Sequence, residues 1–158
     1  MPDELVFYTN PMSRGRIVRW MLEEVGQPYR TEVLEYGTTM KAPEYLAINP
    51  MGKVPAIKHG DAVVTECGAI CAYLADAFPQ ANLAPKSNTE RARYYRWVFF
   101  VAGPVEQAST NGAMGLVVPA ERKAMAGYGS LEETVDALEQ AVKGREFIAG
   151  DRFTAADV

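Results

Sequence analysis

Apolar positions along this chain follow two regimes. From Leu5 to Phe78, short β-branched runs alternate with stretches of helical spacing, and beyond a break rich in Pro and Asn every periodic segment is helical. Leu5-Val6-Phe7-Tyr8-Thr9 reads as a strand. Residues 16–25 read as a helix, with Ile17, Met21 and Val25 on one stripe, Val18 and Leu22 beside it, and Gly26 as its stop. Residues 29–34 form the next predicted strand. Residues 54–57 and 62–65 are short, β-branched and joined through a turn at His59-Gly60-Asp61, which is a hairpin pattern. After Thr65 the spacing becomes helical: Ile70, Leu74 and Phe78 recur four apart with Cys67 and Cys71 beside them. That spacing puts Glu66 and Cys67 in a first helical turn, with Thr65 in the N-cap position.

Residues 79–88, P-Q-A-N-L-A-P-K-S-N, have the composition of a domain boundary. The pattern then predicts a broad apolar helix over 89–101, with Ala92, Tyr95, Phe99 and Ala102 on one side and Tyr94, Val98 and Val101 beside it. Gly103-Pro104 is expected to break or kink it. A further helix opens at Pro119 and is interrupted near Gly127-Tyr128-Gly129. Ser130 and Glu133 then form a capping box ahead of Leu131, Val135, Leu138 and Val142, with Gly144 as the stop.

Composition narrows the function classes. The chain has 158 residues, a hydrophobic content of 48%, a net charge of −4 and no basic run, which argues against nucleic acid or an anionic membrane surface as partner. No apolar stretch approaches the roughly 20 residues of a membrane span, and M-P-D-E-L-V-F-Y is not a signal peptide, so the cytoplasm is the expected compartment. His59 is the sole histidine, which excludes a Ser-His-Asp triad and a multi-histidine metal site. Cys67 and Cys71 lie four apart on one predicted helix and are expected as reduced, partly buried thiols.

The stretch Asn49-Pro50-Met51-Gly52-Lys53-Val54-Pro55-Ala56-Ile57, the turn after it, and the helix opening at Glu66-Cys67 carry the most chemistry. A helix start offers unpaired N–H groups to a ligand carboxylate, and Glu66 can meet an ammonium. Taken singly, Glu66 is equally a complement to the helix dipole, and an X-Pro bond such as Val54-Pro55 is usually trans. As an ordered set these residues resemble the glutathione S-transferase family. The resemblance implies an α/β thioredoxin-like domain over residues 1–79 that binds glutathione, followed by an all-α domain over 87–158. It further implies that a cis Pro55 presents the Val54 backbone to glutathione and that Glu66 and Cys67 hold the γ-glutamyl end where the family has an acidic-Ser pair. Among the cations near this site, Lys53 beside Val54 is the contact expected for anionic glutathione, with Arg14 a further candidate that is equally a solvated surface residue. Arg16 and Lys41 contribute charge nearby.

Ser13, Tyr8 and Thr9 are the hydroxyls near the end of the first strand, where a redox thioredoxin would carry Cys-x-x-Cys and this chain has Pro11-Met12-Ser13-Arg14. A donor to the glutathione sulfur favours thiolate. Ser13 fits the Ser-using members; Tyr8 is the alternative, because Arg14-Gly15-Arg16 also follows the tyrosine in some Tyr-using members, and Ser13 is also placed as a plain helix cap. Met12, Phe99 and Phe100 are candidates for the wall facing a hydrophobic electrophile. The implied reaction is conjugation of glutathione, as co-substrate and without a metal, to an electrophilic small molecule in a homodimer. Alternatives on the same fold are a glutathione-dependent peroxidase or disulfide reductase, and a non-catalytic binding module.

Residues 147–158, F-I-A-G-D-R-F-T-A-A-D-V, resemble the start of the family's central sixth helix, with Thr154 capping, Asp157 answering and Phe153 stapling to Val158. The expectation is therefore that the sequence is truncated and its helical domain incomplete and marginal. A thiol donates poorly, so Cys67→Ser is expected to tighten glutathione binding by about 0.5–1.5 kcal/mol in calorimetry; unchanged or weaker binding would remove Cys67 from the site.

Overall fold

The computed structural model describes residues 3–158. Its backbone packing divides it into two units, one running to Ala84 and one spanning Pro85–Asp157.

In the first unit, β1 (Leu5–Thr9), α1 (Gly15–Val25) and β2 (Arg30–Val33) precede a 3-10 turn (Thr39–Lys41), the short helix α2 (Pro43–Leu46), the hairpin β3 (Ala56–His59) and β4 (Ala62–Thr65), and α3 (Cys67–Ala77). The sheet order is β2-β1-β3-β4, with β1 parallel to β2 and antiparallel to β3. This is the thioredoxin-like arrangement. Residues 54 and 55 precede β3 rather than belonging to it, and His59 is a strand residue paired with Ala62, so only Gly60 and Asp61 make the turn. Gly60, at φ +57°, supplies the left-handed backbone that so tight a hairpin needs.

Strand alternation sends neighbouring side chains to opposite faces. Tyr8 and Ala56 face a cluster of Met40 and Tyr45 with Leu34, Ile48 and Val54. The face toward α1 and α3 is apolar: Val18, Met21, Leu22, Ile70 and Leu74 are fully buried, each burial stabilising by about 1.5–3 kcal/mol. The α1 seam is centred on Val18, Met21, Leu22 and Val25, with Ile17 only half-buried.

The second unit contains α4 (Asn88–Phe100), a π-helical turn (Val101–Val105), α5 (Glu106–Ala113), a 3-10 segment (Ala120–Met125) and α6 (Leu131–Val142). Gly103-Pro104 does not break the rod. A proline ring collides with the carbonyl four residues back in a regular helix, and the wider π turn relieves that collision while the missing N–H costs one bond. Pro119 opens only the 3-10 segment. Ser130 caps α6, its Oγ accepting the Glu133 N–H at 3.2 Å. At the chain's end Asp157 accepts the Thr154 N–H at 2.9 Å and its Oγ1–H at 3.1 Å, while Phe153 meets Phe147 edge-on. No helix among the described residues is long and apolar enough to cross a membrane.

The capping box at α4 was not read from the sequence. Ser87 Oγ accepts the Glu90 N–H at 3.1 Å, and Glu90 accepts the Lys86 N–H at 2.6 Å and pairs with Arg152 at 3.0 Å. The Lys86 N–H, with Arg152 beside it, holds the Glu90 carboxyl below the usual carboxylate value against the opposing effect of burial. A depressed carboxylate stabilises above its unfolded pKa, and that stabilisation is lost as pH falls through the folded value. Glu90→Gln is therefore expected to destabilise the helical unit by about 1–2 kcal/mol at pH 7 in urea titrations and to flatten the loss of stability below about pH 4.5.

Candidate functional site

Strand register brings the loops of the first unit to one end of the sheet. Tyr8 pairs with Ala56, and Ala56 with Thr65. The segment leaving β1, the segment entering β3 and the segment leaving β4 therefore emerge side by side. These hold Ser13, Val54-Pro55 and Glu66-Cys67.

The first segment turns at Asn10, whose backbone carbonyl accepts the Ser13 N–H at 2.9 Å and the Ser13 hydroxyl at 2.7 Å. Ser13 Oγ in turn accepts the Gly15 N–H at 3.0 Å, so it serves the helix start although Arg14, not Ser13, is the residue flanking α1. Asn10 is 5% exposed; its Nδ2 donates to the Leu34 carbonyl at 2.8 Å and its Oδ1 accepts the Met12 N–H at 3.0 Å. Gly15 is required by close approach: a Cβ there would collide with Thr9 Oγ1 and stand 2.9 Å from Ser13 Oγ. Thr9 is buried, its side chain close against Gly15 at the start of α1, while Met12 is 80% exposed at the loop tip. Tyr8 lies on the other face, its ring tilted against Tyr45 at 5.5 Å.

In the second segment the Val54-Pro55 bond is cis, against the general preference for trans and in line with the resemblance. The Lys53 carbonyl accepts two donors, the Tyr45 hydroxyl at 2.6 Å and Asn49 Nδ2 at 2.8 Å. Burial pushes the Tyr45 phenol up to about 12, with Asn49 opposing and Tyr8 reinforcing, so it remains a neutral donor. The Lys53 side chain is exposed, whereas Lys41 Nζ is engaged by the Met51 carbonyl at 2.9 Å and Arg16 Nε by the Pro11 carbonyl at 2.9 Å.

In the third segment Glu66 itself flanks α3, displacing Thr65 from that role, and holds φ +70°, an uncommon conformation for a residue with a Cβ. Such strain costs of order 1–3 kcal/mol and clusters at ligand clamps. Cys67 Sγ donates to the Arg14 carbonyl at 3.7 Å, which ties the start of α3 to the start of α1. Cys71, one turn on, is buried; desolvation, with Cys67 nearby, pushes its thiol up to about 12, so it packs as a neutral apolar group.

In the helical unit Phe99 is 70% exposed and Phe100 meets Trp97 edge-on at 5.4 Å. The buried side of α4 is formed by Tyr94 and Trp97. Asn10 and Tyr45, which hold these segments in place, are not singled out by the sequence pattern, and Asn49 lies inside the stretch that is, without a role of its own there.

The family model for the glutathione S-transferase N-terminal domain matches residues 12–77. The chain is 30% identical to glutathione S-transferase GST-4.5 of Xanthomonas campestris pv. campestris, over 95% of this chain and 76% of that one. It is 34% identical to GstA of Escherichia coli O157:H7, over 72% and 57% of the two chains. A solved glutathione transferase homologue from Drosophila mojavensis with bound glutathione superposes with a TM-score of 0.81 at 27% identity, covering 98% of this chain and 73% of that chain. The chain belongs to the glutathione S-transferase family. It spans little more than half the length of several curated relatives, between 54% and 57%.

Because Gly15 sits between Thr9 and Ser13, Gly15→Ala is expected to destabilise the protein by about 1–3 kcal/mol in thermal or urea melts. Gly26→Ala, where nothing stands within 4 Å but φ is +69°, is the contrasting control for strain without crowding.

Proposed function

We propose that the first unit binds glutathione across the three adjacent segments and that the protein joins glutathione, through its sulfur, to an electrophilic small molecule. Val54 presents its backbone to the peptide, Glu66 and the first turn of α3 take the γ-glutamyl end, and Ser13 donates to the sulfur. The observation that carries this reading is the hydrogen bonding of Ser13. Its hydroxyl has one proton, now given to the Asn10 carbonyl, and that carbonyl also receives the Ser13 N–H. Turning the hydroxyl to a sulfur therefore strands no buried acceptor. The Gly15 N–H donating to the same oxygen polarises it and makes it a better donor.

A free thiol of pKa about 8.5 is roughly 3% ionised at pH 7, and lowering it by about two units, a stabilisation of about 2.7 kcal/mol, makes it roughly three-quarters ionised. The thiol proton leaves to solvent. The thiolate then forms a carbon–sulfur bond while the leaving group departs with its electron pair.

Ser13→Ala is expected to lower kcat roughly 10- to 100-fold with a chlorodinitroarene, the worth of about 1.5–3 kcal/mol for a hydrogen bond to a charged group, while the glutathione Kd changes less than about threefold. If Tyr8→Phe does this and Ser13→Ala does not, the donor is Tyr8. Turnover of peroxide or disulfide substrates without conjugate formation would replace the transfer reaction by a reductive one.

A further inference from the structure

Two Asn-Pro-Met tripeptides, Asn10-Pro11-Met12 and Asn49-Pro50-Met51, are built alike at the same end of the sheet. In each, the Asn Oδ1 accepts the N–H of the Met two residues on, at 3.0 and 3.1 Å, closing a side-chain turn. In each, the Asn carbonyl accepts the N–H three residues on, from Ser13 at 2.9 Å and from Gly52 at 2.7 Å. In each, Nδ2 donates at 2.8 Å to a further carbonyl, that of Leu34 or of Lys53. Both asparagines are 5% exposed. A loop turn alone needs only the first two bonds; the third fixes each loop to something else.

What each third bond fixes differs. Asn10 anchors the β1–α1 loop to the end of β2, 24 residues away, and the same residue's carbonyl holds Ser13. Asn49 joins Tyr45 in saturating the Lys53 carbonyl. The Lys53–Val54 peptide is planar and trans-related in its C=O and N–H directions, so locking the carbonyl aims the Val54 N–H the opposite way. We propose that Asn10 and Asn49 are a matched pair of positioning residues, Asn10 setting the Ser13 hydroxyl against the glutathione sulfur and Asn49 setting the Val54 backbone against the glutathione peptide. The inference rests on the proposed glutathione site and divides that site's two tasks between two side chains.

Asparagine-to-aspartate changes isolate the third bond, since the acceptor oxygen stays and the N–H donor is lost. On the full chain, glutathione Kd is measured by calorimetry, ionisation of the bound thiol by its ultraviolet thiolate band against pH, and folding by urea titration. Asn10→Asp is expected to raise the bound thiol pKa by about one unit and cut kcat about tenfold with Kd within about threefold; Asn49→Asp is expected to raise Kd about tenfold with the thiol pKa unmoved. The serine variants Asn10→Ser and Asn49→Ser keep a turn acceptor without setting a carboxylate against a carbonyl, and carry the same comparison if either aspartate variant loses cooperative unfolding. Folded variants that alter Kd and thiol ionisation together, or alter neither, overturn the division of tasks. Absence of glutathione binding by the unsubstituted chain overturns the functional reading itself and the division with it.

Discussion

Level strand ends are the constraint on which the site depends. Because Tyr8 lies opposite Ala56 and Ala56 opposite Thr65, the segments that follow or precede them meet at one edge. Register in this sheet is strongly specified, since a slip of one residue would turn Tyr8 off the Met40–Tyr45 cluster and bring Thr9 away from Gly15. That register brings the segments carrying Ser13, Val54 and Glu66 to the same end of the sheet.

Polar bonds then place the loops that the apolar core only brings close. A net hydrogen bond is worth about 0.5–1.5 kcal/mol, but an unmet buried partner costs about 1–3 kcal/mol, so buried asparagines restrict conformation more than they add stability. Asn10 and Asn49 act in this way on loops without regular structure. Cys67 adds a weaker tie, its thiol reaching the Arg14 carbonyl and joining the starts of α1 and α3. The serine expected at that position from the family would be a better donor to a ligand; the thiol leaves the backbone N–H of the first turn unchanged.

Much of the fold was legible in local pattern. The strand at Leu5–Thr9, the helix ending at Gly26, the Gly60-Asp61 hairpin and the Ser130 cap all rest on interactions within a few residues. What periodicity could not supply was the choice among faces: the α4 stripe through Tyr95 and Phe99 reads as well as the one through Tyr94 and Trp97, and only packing selects the latter. Pro104 predicts a break or a kink because its local cost is real, and a π turn meets that cost without ending the helix. The candidates at Val54, Pro55, Glu66 and Cys67 were visible as an ordered set, and Ser13 as one of three hydroxyls near the end of the first strand. Asn10, and the particular role of Asn49 within the stretch it opens, were not legible because their decisive partners, Leu34 and Lys53, are carbonyls that no side-chain pattern marks. The repeated Asn-Pro-Met was the available signal.

Titration of isotope-labelled protein with glutathione, followed through backbone amide resonances, tests the central claim most directly. The account predicts that Ser13, Arg14, Val54, Glu66 and Cys67 shift together with one binding constant, and that the Val54 amide becomes protected from exchange. Shifts centred elsewhere, or a Val54 amide indifferent to saturating glutathione, would contradict it.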